Sequence, residues 1–166
     1  MAKKPRQKLG GPYLAAAVFC ENIVEDKDGA LSCIRIIDTI TVRLPADTPP
    51  DVPSDEKRIP VSIKGLVSFK RGGISGKFHK IKLAMESPDG RRGIMDERKL
   101  EMGTPPFGGG NLYFNVTIAI KKGGLFWMTV SLDGKEFTRS PLRILIEREA
   151  SASKSGADRA PKAAKS

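Results

Sequence analysis

Hydrophobic and polar positions alternate along this chain in short runs, and glycine, proline and aspartate separate the runs. A period of two puts alternate side chains on opposite faces of a strand, so the pattern predicts an all-β domain. The first strand is expected over 13–24. The second is expected over 31–44, where Ile34, Ile36, Ile40, Val42 and Leu44 share one parity. Between them, Glu25-Asp26-Lys27-Asp28-Gly29 supplies a polar hairpin loop.

Residues 45–57, PADTPPDVPSDEK, contain four prolines, which block ladder hydrogen bonds and favour an extended crossover from one sheet to the other. A third strand over 58–69 alternates through Ile59, Val61, Ile63, Val67 and Phe69. A hairpin loop at Arg71-Gly72-Gly73 and Gly76 then leads to a fourth over 77–86, with Ile81, Leu83 and Met85 on one face. Ser87-Pro88-Asp89-Gly90 is a turn, residues 91–102 an edge strand, and 103–110 (GTPPFGGG) a loop. Strands over 111–121 and 125–132 pair best through a three-residue loop, Lys122-Gly123-Gly124. That loop sets Ile120 opposite Phe126 and Trp127 opposite Ala119. After Asp133-Gly134 the last strand starts at Phe137 and breaks at Pro141, where it is free to change sheets. It resumes with Leu142, Ile144 and Ile146. Seven or eight such strands favour two packed sheets, a β-sandwich over 13–149. A domain of this size buries roughly two-thirds of its unfolded surface and needs no metal or disulfide to fold. No helical periodicity and no internal repeat competes with this reading.

Charge changes the picture only at the ends. The chain carries a net charge of +10. Lys3, Lys4, Arg6 and Lys8 lie in an acid-free segment, and Lys154, Arg159, Lys162 and Lys165 stand against one acid, Asp158. Residues 1–12 and 150–166 are therefore expected to be disordered basic tails, and the domain between them is close to ordinary in charge. These eight cations are candidate polyanion contacts. Phosphate contacts of this kind are independent of sequence and sensitive to salt. The competing expectation is that the tails only solubilise.

Two cysteines, Cys20 and Cys33, are too few for a disulfide framework. They flank the first hairpin and would lie opposite each other across a four-residue loop, as a pair of small side chains with reduced thiols. The run Leu14-Ala15-Ala16-Ala17-Val18-Phe19 before Cys20 imitates an export signal. Its length is at the short limit, however, and Phe19 stands where a small residue is needed, so it reads as a strand. No stretch approaches the ~18 apolar residues of a membrane helix. The expected location is cytoplasmic, with no membrane partner.

Candidate chemistry is sparse. His79 is the single histidine, which excludes multi-histidine metal sites, and its parity points it toward the core. It is expected to be a partly buried histidine bonded to a backbone carbonyl, with no paired acid or nucleophile beside it. Arg71-Gly72-Gly73-Ile74-Ser75-Gly76-Lys77 imitates a phosphate loop, but the spacing is one residue short and a strand follows. Asp47, Asp51, Asp55 and Glu56 lack tight calcium-ligand spacing and are expected to form a solvated acidic loop. Asp89 and Asp133 are explained by their turns. No acid/base pair, metal set or activated nucleophile can be assembled, so neither an enzyme nor a cofactor is expected. The most suggestive surface is the polar face of 111–121 and 125–132, where Tyr113 and Thr117 would lie beside Trp127 and Thr129. An aromatic face among threonines, near Lys121 and Lys122, suits a docked peptide, a protein or a base.

Three blocks of residues also carry a family resemblance. They are the run ending in Cys20-Glu21 with Lys27-Asp28-Gly29 and Ile34-Arg35-Ile36-Ile37-Asp38; His79 through Pro88-Asp89-Gly90; and Gly124-Leu125-Phe126 with Leu132-Asp133-Gly134 and Pro141-Leu142. Together they resemble a family of small bacterial β-sandwich proteins described only as a domain of unknown function. The resemblance spans roughly 13–148 and implies an immunoglobulin-like or similar sandwich, with no catalytic residues to carry over. The functional expectation is a non-enzymatic binding or structural module that meets another protein or a second copy of itself. Nucleic-acid association through the tails is the alternative.

Overall fold

The apolar run that imitates an export signal lies inside β1 (Tyr13–Glu25), an interior strand hydrogen-bonded on both sides. The computed structural model describes residues 10–45, 58–74, 76–104 and 108–149. Eight further strands follow: β2 (Leu31–Ile37), β3 (Thr39–Leu44), β4 (Ile59–Lys70), β5 (Phe78–Glu86), β6 (Arg92–Glu101), β7 (Gly109–Ile120), β8 (Gly124–Leu132) and β9 (Lys135–Arg148). They form a four-stranded sheet in the order β2-β1-β4-β7 and a five-stranded sheet in the order β3-β9-β8-β5-β6. The fold is all-β with two sheets, as the alternation predicts, and has nine strands among the described residues instead of seven or eight.

The extra strand comes from the expected strand over 31–44, which splits at Asp38. The Asp38 carbonyl accepts the Arg143 N–H at 2.8 Å, and β3 leaves the first sheet to run parallel to β9 in the second. The shared face expected for this segment breaks with it. Ile34 and Ile36 are 44% and 67% exposed, whereas Ile40 and Val42, beyond the bend, pack against the core.

The largest correction concerns β7 and β8. They are not a hairpin. β7 pairs with β4 through twelve consecutive residues, and β8 pairs with β5 and β9 in the other sheet. Residues 121–123 cross between sheets. A Cβ on Gly123 would lie 2.6 Å from the Ile144 carbonyl, so the crossing requires glycine there. Trp127 therefore stands opposite Glu86 and Pro141, not Ala119. Residues 71–77 likewise join sheets, from β4 to β5, and are not a hairpin loop. Pro141 neither breaks β9 nor moves it to the other sheet. It sits where β9 has only β8 as neighbour, because β3 begins pairing at Arg143, and an edge accommodates a missing N–H.

The core lies between the sheets. Ile63, Val67, Phe69 and Phe114 from the first sheet meet Ile81, Leu83, Met128, Val130, Leu142 and Ile144 from the second, all essentially sealed from solvent. Each such side chain stabilises the fold by roughly 1.5–3 kcal/mol relative to exposure. Phe19 and Phe114 meet edge-on, with centroids 6.4 Å apart and planes at 88°. On one side the sheets are joined where the Ser140 hydroxyl donates to the Ala17 carbonyl at 3.3 Å. On the other side the edge strands β6 and β7 face each other.

Candidate functional site

The structure separates the surface expected from the alternation pattern. Tyr113 and Thr117 lie on the outer face of the four-stranded sheet, and Trp127 and Thr129 belong to β8 in the five-stranded sheet. Tyr113 is 56% exposed and stands in register with Leu66, while the Thr117 hydroxyl lies 3.3 Å from that of Ser62. Trp127 is half-buried under its own sheet. The Arg139 guanidinium sits 5.3 Å from the centre of its ring and is held there by a 2.8 Å bond to Glu86. Thr129 is buried between Ala84 and Arg139 in neighbouring strands. No single face presents all four residues. The eight tail cations Lys3, Lys4, Arg6, Lys8, Lys154, Arg159, Lys162 and Lys165 lie outside the described residues, as do Asp47, Asp51, Asp55 and Glu56 of the acidic loop.

A cleft opens between β6 and β7, where periodicity offers no signal. The two strands are tied together at one end, where the Gly103 N–H donates to the Gly109 carbonyl at 3.0 Å. A Cβ on Gly110 would come within 2.7 Å of the Glu101 carbonyl, so only glycine permits this approach. From there the edges diverge. At the far end they border a cleft of about 330 Å³. Its floor is apolar, built from the buried side chains of Met85, Ile120 and Phe126, with Ile94 62% exposed at its mouth. Five cations line it (Arg58, Arg91, Arg92, Lys121 and Lys122) against one acid, Asp89.

That acid is already engaged. A hydrogen bond from the Ser87 hydroxyl, aided by Arg91, holds the Asp89 carboxyl below its usual value against the opposing effect of desolvation. Arg92 reaches Glu136 only at 3.9 Å, and Arg58 and Lys122 form no ion pair among the described residues. An apolar floor with several cations at the rim suits a ligand that is both acidic and apolar.

At the other end of the sheets, the structure gives His79 the acidic partner that was not expected. His79 is 7% exposed, and its Nδ1 lies 2.7 Å from Asp133 Oδ2. The other carboxylate oxygen of Asp133 accepts the Lys80 N–H at 2.8 Å, and the Asp133 N–H donates to the Lys80 carbonyl at 2.8 Å. Asp133 thus does more than form its turn; it fastens the β8–β9 turn to the start of β5. Desolvation acts against its charged form. The hydrogen bonds from His79 and the Lys80 N–H, with the field of His79, outweigh that penalty and hold the carboxyl below its usual value. The His79 Nε2 is buried and meets no partner among the described residues. Asp133 also takes φ of +49°, a left-handed conformation that aspartate tolerates better than most residues. A carboxylate 54 positions away in sequence carries no local signal for such a pairing.

Arg71, in the segment that imitates a phosphate loop, is 7% exposed and turned inward. It donates to the Ile74 carbonyl at 3.0 Å and the Gly103 carbonyl at 2.9 Å, clamping two inter-sheet connections together. The cysteines are not opposite each other: Cys20 pairs with Ile36 and Cys33 with Ile23. The β1–β2 connection begins after the Glu25–Leu31 pair and is longer than the four residues that would oppose them. Both thiols are free, Cys20 buried and Cys33 half-buried. Burial pushes the Cys20 thiol up to about 11; the nearby Cys33 thiol adds to the rise and Lys64 opposes it.

Residues 15–145 match a family described as a family of unknown function (DUF6941), and the chain belongs to it. None of the curated proteins matches the chain.

Proposed function

We propose that this member of a family of unknown function is a non-enzymatic binding module that docks an acidic segment of a partner protein in the cleft between β6 and β7. The observation that carries the reading is the pairing of an apolar floor with a rim of five cations and a single, already engaged acid. A volume of about 330 Å³ accommodates one or two apolar side chains, and the rim steers carboxylates toward them. The His79–Asp133 pair supports a structural role over a catalytic one, because its remaining nitrogen, Nε2, is sealed from any substrate.

The strand order also supports the immunoglobulin-like expectation in a modified form. With β2 and β3 set aside, β1-β4-β7 and β9-β8-β5-β6 follow the A-B-E and G-F-C-C′ orders of that sandwich. β2 is then an addition beside the first strand, and β3 an addition beside the last.

A random peptide library displayed on phage and panned against the full chain tests the docking proposal. Enriched sequences are expected to place acidic residues beside apolar ones. Arg58→Glu combined with Lys122→Glu should weaken them by about tenfold or more, with marked salt dependence. Enrichment of uncharged sequences, or acidic sequences indifferent to the two reversals, would sink it.

The basic tails motivate a second reading, nucleic-acid association through phosphate contacts. Neutralising the eight tail cations to glutamine should then remove salt-sensitive binding to a short DNA duplex. Equal, negligible binding by both chains would dismiss this reading.

A further inference from the structure

We infer that the partner segment enters this cleft as an extended strand and adds to the free edge of β7; the inference rests on the cleft being the docking site. The outer edge of a sheet presents a row of unpaired N–H and C=O groups, and proteins blunt such edges with charges, prolines, bulges or short strands. β7 has none of these devices. Its twelve residues, GGNLYFNVTIAI, include no charge and no proline in a chain that is 29% charged. Its register with β4 runs without a shift from Ile59–Ile120 to Lys70–Gly109.

The other three edges are each protected. β6 carries charge at Arg92, Asp96, Glu97, Arg98, Lys99 and Glu101, and its pairing is bulged near Leu83 and Ala84. β2 is seven residues long and has Arg35 at φ +51°. β3 is six residues long and carries Arg43. Among the described residues, the β7 edge accepts only the bond from Gly103 to Gly109, at its very start. From Asn111 onward, an open edge runs straight into the cleft.

The charge and shape of the site select the occupant. A second copy would bring another chain of net charge +10 to a rim that is already basic. It would also have to pass β6, which borders the cleft from the other side. The chain's own acidic stretch, 45–57, holds four prolines and is a poor ladder partner. A single extended peptide meets every requirement. Its backbone completes the β7 ladder, alternate apolar side chains reach the floor at Ile120 and Phe126, and one acidic end meets Arg58 and Lys122, which stand together beyond the Ile59–Ile120 pair. This is strand addition, in which main-chain bonds supply affinity and side-chain pockets supply specificity.

The probe is a nine-residue peptide with an alternating valine and threonine core and two aspartates at each end. Its control is the same peptide N-methylated at every core residue, which keeps the side chains but cannot form a ladder. Hydrogen exchange on the full chain is expected to show β7 amides protected by the first peptide, with β6 amides unchanged. The methylated control should bind about tenfold or more weakly, as the loss of several net hydrogen bonds requires. Equal binding of both peptides, abolished by Arg58→Glu, overturns strand addition while leaving the cleft as a side-chain docking site. Protection of β6 in place of β7, or protection of β7 by self-association without peptide, also overturns it. Failure of both peptides to bind overturns strand addition, and it removes the cleft reading as well when the phage-selected sequences are indifferent to Arg58→Glu with Lys122→Glu.

Discussion

The Nδ1 of His79 lies 2.7 Å from Oδ2 of Asp133, and this contact joins the start of β5 to the β8–β9 hairpin. The carboxyl of Asp133 is held below its usual value in the fold. Its contacts therefore stabilise the protein fully above the ordinary carboxyl value near 3.8, and this stabilisation is lost as pH falls through the lower folded value. Asp133→Asn should cost about 1–3 kcal/mol near pH 7, toward the lower end because the side chain is 52% exposed. The gap between wild type and variant should shrink at strongly acidic pH. Urea denaturation at both pH values checks this, and a gap of the same size at each would contradict the assignment.

Gly65 sits at the middle of β4, where a Cβ would press into the Phe114 ring and the Val18 carbonyl. The Phe19–Phe114 contact occupies the space a side chain would need. Gly65→Ala is expected to lose about 1–3 kcal/mol through overpacking. Gly29→Ala, with open space around it, should show only the smaller strain of its φ of +80°. Thermal melts of the two variants give the comparison, and equal losses would refute the packing explanation.

Tyr113 and Trp127 lie on different sheets with the core between them. Their alanine substitutions should add, with a coupling within about 0.5 kcal/mol in a double-mutant cycle of stability. A larger coupling would bring the two aromatics onto one face after all.

The Cys20 thiol is buried and pushed up to about 11, so little thiolate forms near neutrality. Iodoacetamide at pH 8 should alkylate Cys33 first and Cys20 only after unfolding. Peptide mapping by mass spectrometry reads the order, and prior modification of Cys20 would show that its strand opens readily.

Much of the fold was legible because strand formation is a local property. The runs at 58–69, 77–86, 111–121 and 125–132 alternate so regularly that burial permits only one face inward. The turns at Asp89-Gly90 and Asp133-Gly134 were legible for the same reason: glycine takes positive φ at 90 and 134. The site was far less legible. Residues such as Arg58, Met85, Ile94 and Lys122 come from four separate stretches and share no periodicity. His79 and Asp133 each had a sufficient local explanation, and neither explanation contained the other residue.

For β4, β5, β7 and β8 the sequence by itself determined where the strand lies and which side of it faces the core, because solvent exposure repeats every second residue. Only the tertiary structure decided which strands are neighbours. A hairpin joining β7 to β8 would turn Ile120 and Phe126 to the same core, and so does the observed crossing between sheets, so alternation cannot separate the two. The choice is made by contacts remote in sequence. Twelve pairs bind β7 to β4, and Gly123 passes against the Ile144 carbonyl. That choice divides Tyr113 from Trp127, and it leaves β7 at the rim of its sheet with an open edge facing the basic cleft.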